Sequence, residues 1–312
     1  MMSHINRNKD FIVAKTYSSY EKRIIELFNK SEEITWNGKI FNKISACKPK
    51  GQGKGGEPKT DVYVLLENTL SNDQDSIKIS VKKNNSEFLA NKLTMDAAKS
   101  ILGDDWENIV LQAIEFLKYK FEAQDLVYLK VVNKKEGPYE DAYFTLGWKL
   151  EITNKERELS IPFTADKKLI TQVVYKGINQ PYKMRDAVVF GAIKENSGIA
   201  EYLLEGSEDT HTTVESILYD LQRLDDYIPE NIHIIFTANN YRFKANKADG
   251  PRTLAVAIKW IVSDGRLKPH FLFDVPLKVK GETDMMPIVK SCLEQLNIKS
   301  FEDIKIEDIK PI

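Results

Sequence analysis

Tyr20, Ile24, Leu27 and Phe28 recur at helical spacing on one apolar stripe, and Ser18 with Glu21 three residues later has the spacing of a capping box. The pattern predicts an amphipathic helix over Thr16–Lys30. The period then changes. Asp61-Val-Tyr-Val-Leu-Leu is a short apolar run opened by an acid, and Ile77–Lys82 alternates apolar and polar residues with period two. The polar segment SNDQDS between them makes the pair a predicted hairpin. In the alternating strand Ile77, Ile79 and Val81 face one way, while Lys78, Ser80 and Lys82 face the other.

Further along, Trp106, Val110, Ala113, Ile114, Leu117 and Phe121 form a second helical stripe behind Asp104 and Asp105, which suit an N-cap. Strands are expected at Val127–Val132 and Ala142–Ile152, and helices at Asp166–Lys176 and Thr213–Asp226, the latter opened by Thr212 and Glu215. The C-terminal third predicts strands at Ile232–Thr237, Leu254–Val262 and Pro269–Val279, with Asp249-Gly250 and Asp264-Gly265 as turns. Strands and helices mixed in this way predict one α/β-type domain over residues 1–312 with a strand-rich C-terminal elaboration.

Composition narrows the class. A chain of 312 residues, 42% hydrophobic and 29% charged, can bury a sizeable core and is too apolar for disorder. No apolar run reaches the roughly 18–20 residues that span a bilayer. The polar first residues lack the apolar stretch of a secretory signal, and two cysteines, Cys47 and Cys292, fit a reducing cytoplasm. The four histidines have no metal-ligand spacing. The net charge of −1 conceals segregation. Residues 39–59 carry six lysines against Glu57 alone, residues 239–268 carry seven Lys or Arg against two acids, and residues 195–230 carry ten acids against Arg223. Two basic stretches in a neutral chain suggest a polyanion footprint on one face.

The hairpin supplies candidate chemistry. Pairing through SNDQDS brings Asp61, at the start of one strand, beside the end of the other. A carboxylate, a hydroxyl and a lysine then share one polar patch. A carboxylate can hold Mg²⁺ that keeps several waters. The ion polarises a phosphate and acidifies a bound water, and a lysine orients that water or offsets developing charge.

The segment GGEPKTDVYV followed by IKISVKK resembles the PD-(D/E)-x-K nuclease superfamily, particularly its type II restriction endonuclease members. The resemblance covers about residues 16–120. It implies a restriction-endonuclease-like mixed central sheet flanked by helices, with a catalytic core over about 16–165 and a DNA-recognition elaboration over about 166–312. On it Asp61 matches the first acid, Lys82 the lysine, and Ser80 the position of the second acid. The backbone carbonyl of Val81 is an implied metal ligand, and Glu57 or Glu26 could compensate for Ser80. Pro58 lies three residues before Asp61, whereas the family's proline directly precedes its acid.

The expected activity is Mg²⁺-dependent hydrolysis of double-stranded DNA, with Mn²⁺ as a substitute ion and a homodimer cutting both strands. Alternatives are a structure-selective repair or phage DNA-processing nuclease and an inactive DNA-binding protein. Candidate DNA contacts are Lys54, Lys59, Lys78, Lys83 and Asn85 around the hairpin. In the second basic stretch they are Asn239, Asn240, Tyr241, Arg242, Lys244 and Arg252, where amides and arginines suit base edges.

Overall fold

The computed structural model describes residues 19–53, 56–83, 88–134 and 136–309. In chain order its main elements are helix α1 (residues 19–30) and strands β1 (Lys43–Cys47), β2 (Val62–Glu67) and β3 (Gln74–Lys83). Helix α2 (Trp106–Glu122) and strands β4 (Val127–Lys134) and β5 (Gly137–Thr153) follow. Helix α3 (Lys167–Ile170, continued by a wider turn over Thr171–Lys176) leads to β6 (Val188–Val189), β7 (Ala192–Ile193), β8 (Tyr202–Gly206) and α4 (Val214–Asp220). The chain closes with β9 (His233–Arg242), β10 (Val256–Ser263), β11 (Arg266–Leu272) and α5 (Met286–Gln295). The protein is mixed α/β.

These elements divide into two compact units. Described residues of 1–86 and 166–229 form one, and those of 87–165 and 230–312 form the other. The expected division near residue 165 falls at one of the crossings between the units, but each unit also takes a segment from the other side of it, since β8 completes the first sheet long after the hairpin has been made.

The first unit holds a five-stranded mixed sheet in the order Gln222–Arg223, β8, β3, β2, β1. The β1–β2–β3 meander is antiparallel, and β8 lies parallel to β3. The period-two pattern explains its layering. Val62, Val64 and Leu66 join Ile77, Ile79 and Val81 on one face, packed against Tyr20, Ile24 and Phe28 of α1 and Val214 and Ile217 of α4. Each fully buried aliphatic or aromatic side chain there contributes about 1.5–3 kcal/mol. Helix α4 is shorter than its sequence pattern suggests. Thr213 and Ser216 form its capping box, in place of the expected Thr212 and Glu215. It stops at Asp220 because Leu221 turns extended, freeing Gln222 and Arg223 to pair with Leu203 and Tyr202.

The second unit is built on an eight-stranded sheet in which β5 is central, pairing with β4, β9 and β10. Phe121 of α2 meets Trp148 and Phe236 edge-on at 4.9 and 5.3 Å, an arrangement that complements ring quadrupoles. Gly147 lets β5 and β10 close together, since a Cβ there would lie 2.2 Å from the Val256 carbonyl oxygen. Asp264-Gly265 forms the expected two-residue hairpin, with positive φ at both residues and Ser263 paired to Arg266. Among the described residues no helix is long and apolar enough to cross a membrane.

Candidate active site

The β2–β3 register decides which side chains meet. Val62 pairs with Ile79, and the Asp61 N–H donates to the Ile79 carbonyl at 2.8 Å, which carries the ladder one residue beyond β2. Asp61 therefore lies opposite Ser80, on the face away from the α1 core. Its Oδ2 accepts the Val81 N–H at 2.7 Å and lies 3.5 Å from Ser80 Oγ. A strand residue presents its own N–H and C=O toward the same neighbour, and alternate residues share that neighbour. The Val81 carbonyl is thus on the Asp61 edge, just past the end of the ladder. Lys82 follows Ser80 on the Asp61 face. The sequence-predicted trio is assembled.

Burial dominates the electrostatics. It raises the Asp61 carboxyl from 3.8 to about 6, against the opposing pull of Lys82, the Val81 N–H and Lys48, with Glu21 pushing it further up. Burial also lowers the Lys59 ammonium, helped by Lys82, while Asp61 and Glu57 oppose it. Glu205 of β8 is the register partner of Lys82; burial raises its carboxyl and Lys82 pulls it down. Lys48 keeps its proton strongly: burial works against the charge, but hydrogen bonds to Glu21 at 2.6 Å and Glu57 at 2.8 Å outweigh it. The site is one buried carboxylate within a ring of three lysines, with further acids behind those lysines.

Among the described residues no group of three or more acidic, histidine or cysteine side chains is placed to hold a metal. The donors that converge are the Asp61 carboxylate and the Val81 carbonyl, with the Ser80 hydroxyl beside them. That set fits a hard, largely hydrated ion such as Mg²⁺ and not one that needs a full protein cage. Of the two expected compensating acids, Glu57 is held by Lys48 and Glu26 is exposed. The helical wheel explains Glu26: at 100° per residue it lies roughly 160° from the centre of the buried Tyr20–Ile24–Phe28 stripe. Glu21 sits at the stripe's edge and is the helix acid that acts on Asp61.

Other expected contacts land in different places. Lys78 is largely covered and paired with Glu201 at 2.8 Å, so its charge is already engaged. Lys83 is half-buried at the end of β3. Lys54 and Asn85 lie outside the described residues. The expected base-reading loop is a correction: β9 runs through Arg242, the register shifts between Asn239 and Asn240, and three consecutive residues, Asn239 to Tyr241, are buried. Asn239 is 0% exposed. Asn240 is buried with its Nδ2 donating to Asp249 Oδ2 at 3.1 Å, and Tyr241 is buried as well. Arg242 is bound to the Asp249 carboxylate, and Arg252 has its Nε enclosed. Lys244 remains exposed, with Nζ 4.8 Å from the Phe301 ring centre. The second unit thus presents Lys244, not the amides, to solvent.

Sequence reasoning missed Glu21, Lys48 and Glu205 as neighbours of the trio. Glu21 had a signal, since it flanks the apolar stripe, but its capping-box spacing gave it a local role. Glu205 had none, because parallel pairing to β3 brings it in from more than a hundred residues away. No family model, no curated protein and no solved structure matches this chain.

Proposed function

We propose that the protein is a Mg²⁺-dependent endonuclease that hydrolyses phosphodiester bonds in double-stranded DNA, with the sequence specificity and homodimeric action of a type II restriction enzyme. The observation that carries this reading is the Asp61 carboxylate fixed by the Val81 N–H, with Ser80 and Lys82 on either side of Val81 in the strand. A buried carboxyl that burial drives toward neutrality is kept there at a cost, and such groups cluster at functional sites.

Asp61 and the Val81 carbonyl would hold the ion, which when bound supplies phosphate polarisation and an acidified water. Ser80 Oγ is positioned to donate to Asp61 Oδ2 and fix its rotamer. Lys82, on the same face, orients the attacking water or offsets charge developing on the phosphate. Lys59 adds a positive charge beside the site that favours the DNA backbone, whereas the Lys48 charge is held by Glu21 and Glu57. The mixed sheet flanked by helices is compatible with the fold that the sequence resemblance implies.

Incubation of purified protein with supercoiled plasmid and Mg²⁺ tests the reading. Discrete linear fragments support it, whereas exonucleolytic or structure-dependent products select a repair or phage-processing nuclease. Ser80, standing where a second carboxylate would complete the ion site, favours one second reading, a DNA-binding protein without cleavage. Salt-sensitive retention of DNA with no cutting in Mg²⁺ or Mn²⁺ selects it.

A further inference from the structure

Residues 181–198 carry the most strained exposed side chain near the candidate site. Strands β6 and β7 form a minimal hairpin in which Val189 pairs with Ala192, leaving Phe190-Gly191 as a two-residue turn. Both turn residues have positive φ, +49° for Phe190 and +83° for Gly191. Asn or Asp normally occupies the first position of such a turn, since their short polar side chains tolerate the left-handed region. A phenylalanine there costs about 1–2 kcal/mol. Burial does not compensate fully, because Phe190 is 49% exposed and its neighbour Ile193 is 62% exposed.

The position of the tip is specific. Phe190 meets the Tyr63 ring edge-on at 6.2 Å, and Tyr63 is two residues beyond Asp61 on the same strand face. Backbone hydrogen bonds between Lys50 and Val188, in both directions, fasten the hairpin to the basic loop. The Gln52 N–H donates to the Lys183 carbonyl at 2.7 Å, and the Thr60 N–H to the Gly198 carbonyl at 3.1 Å. Lys50 is bonded through its backbone to Val188 of the hairpin, Lys183 through its carbonyl to Gln52, and Lys194 directly follows β7; all three are exposed, with no carboxylate ion-pair partner among the described residues. Lys194 Nζ instead lies 5.2 Å from the Tyr63 ring centre. The nearby Asp186 is engaged by Arg185. An exposed aromatic ring on a fastened turn, with three exposed lysines on the segments that hold it, matches a stacked polyanion, that is, duplex DNA: the cations meet phosphates and the apolar ring meets base faces.

We propose that Phe190 is a wedge that enters the base stack of duplex DNA beside the Asp61 site, with Lys50, Lys183 and Lys194 on the flanking phosphates. The wedge unstacks one base step and bends the backbone toward Asp61. This rests on the nuclease reading only for the identity of the polymer and is independent of cleavage.

The test uses the full chain in EDTA, where no cutting is needed, and a mixed-sequence duplex carrying 2-aminopurine, whose fluorescence rises when a base is unstacked. Wild type should bind it in a salt-sensitive manner and raise the fluorescence. Phe190→Asn should lose that rise and bind about tenfold more weakly, the scale of one lost base–aromatic stack. Its thermal midpoint should stay within about 3 °C of wild type, because relief of backbone strain offsets the lost Tyr63 contact. Phe190→Trp, which keeps an aromatic wedge, should retain the rise. Fluorescence unchanged in Phe190→Asn, or absent in both wild type and Phe190→Trp, overturns the proposal, as does failure of wild type to bind the duplex. If Phe190→Asn loses both fold and signal, Phe190→Trp decides. A fluorescence rise without plasmid cleavage in Mg²⁺ removes the nuclease reading and leaves the wedge.

Discussion

Asp61 Oδ2 accepts the backbone N–H of Val81 at 2.7 Å, so the carboxylate is locked to the residue that separates Ser80 from Lys82. That contact fixes the acid without consuming Lys82. The other oxygen, Oδ1, is left for a ligand that the backbone does not supply. Asp61→Asn keeps an acceptor for Val81 and removes only the charge. It should abolish cleavage while leaving DNA affinity within about threefold, since an acid contributes nothing favourable to phosphate contact. Filter binding and plasmid cleavage on the same preparation check this, and normal turnover by the variant removes Asp61 from the site.

The same carboxyl should be a liability to the metal-free fold. Burial first, and Glu21 with it, raise its pKa from 3.8 to about 6, so between those values the folded state holds a proton that the unfolded state has released. Stability from this group is complete below about 3.8 and declines as pH rises through 6. A shift of about two units corresponds to about 2–3 kcal/mol at pH 7.5. Asp61→Asn should therefore be more stable than wild type at neutral pH in EDTA and should lose that advantage near pH 4. Added Mg²⁺ should raise the melting midpoint of wild type alone. Denaturant titrations at the two pH values decide the point.

Lys82 faces two carboxyls, Asp61 and Glu205, both raised by burial and both lowered by its charge. Removing it with Lys82→Ala pushes both further up. Turnover at saturating DNA should fall about 10²–10³-fold, the scale of one lost transition-state donor, and the acid limb of the pH–rate profile should move upward. If the variant turns over normally at saturation but binds weakly, Lys82 is a phosphate contact instead.

How much of this was legible in the sequence depends on the distance over which each contact is made. The hairpin was readable because its pairing is local. Six residues separate β2 from β3, and a single turn fixes the register that puts Asp61 opposite Ser80. The helical stripes of α1 and α2 were readable for the same reason. The β8 pairing was not, since a parallel strand supplied by a distant segment leaves no periodic trace. Nor was the inward turn of Asn239 and Asn240. A polar composition reads as a loop, but β9 continues through them because Asp249 and Thr145 satisfy Asn240 inside the unit.

That substitution of inner partners for DNA contacts has a measurable consequence. Asp249 accepts from the Asn240 N–H and Nδ2 and from Arg242 Nε, the last at 2.8 Å. Asp249→Ala strands these donors and Arg242 Nη2 as well, the two of Asn240 against a buried strand. It should destabilise the protein by about 2–4 kcal/mol, whereas Arg242→Ala alone should cost less because Asp249 keeps its amide partners. Comparable urea midpoints for the two variants would show that Asp249 is not the hub of that end of β9.

Ser80 is the position at which the site departs from a two-carboxylate pocket, and its burial makes the departure testable. The side chain is 1% exposed, with Oγ 3.5 Å from Asp61 Oδ2. Ser80→Ala removes a weak hydrogen bond but no charge, so it should reduce cleavage far less than Asp61→Asn. Ser80→Asp places a second carboxylate within a few ångströms of the first. Without metal the two negative charges repel, so the variant should be less stable in EDTA than wild type. With Mg²⁺ the added hard oxygen should lower the metal concentration needed for half-maximal cleavage, because one protein carboxylate and many waters hold the ion weakly in wild type. Calorimetric titration of Mg²⁺ into the metal-free proteins reads affinity without relying on activity. Tighter binding in Ser80→Asp with lower stability in EDTA supports a shared ion site. Unchanged affinity places the ion away from Ser80, and with it the argument that Asp61 and Ser80 face one metal.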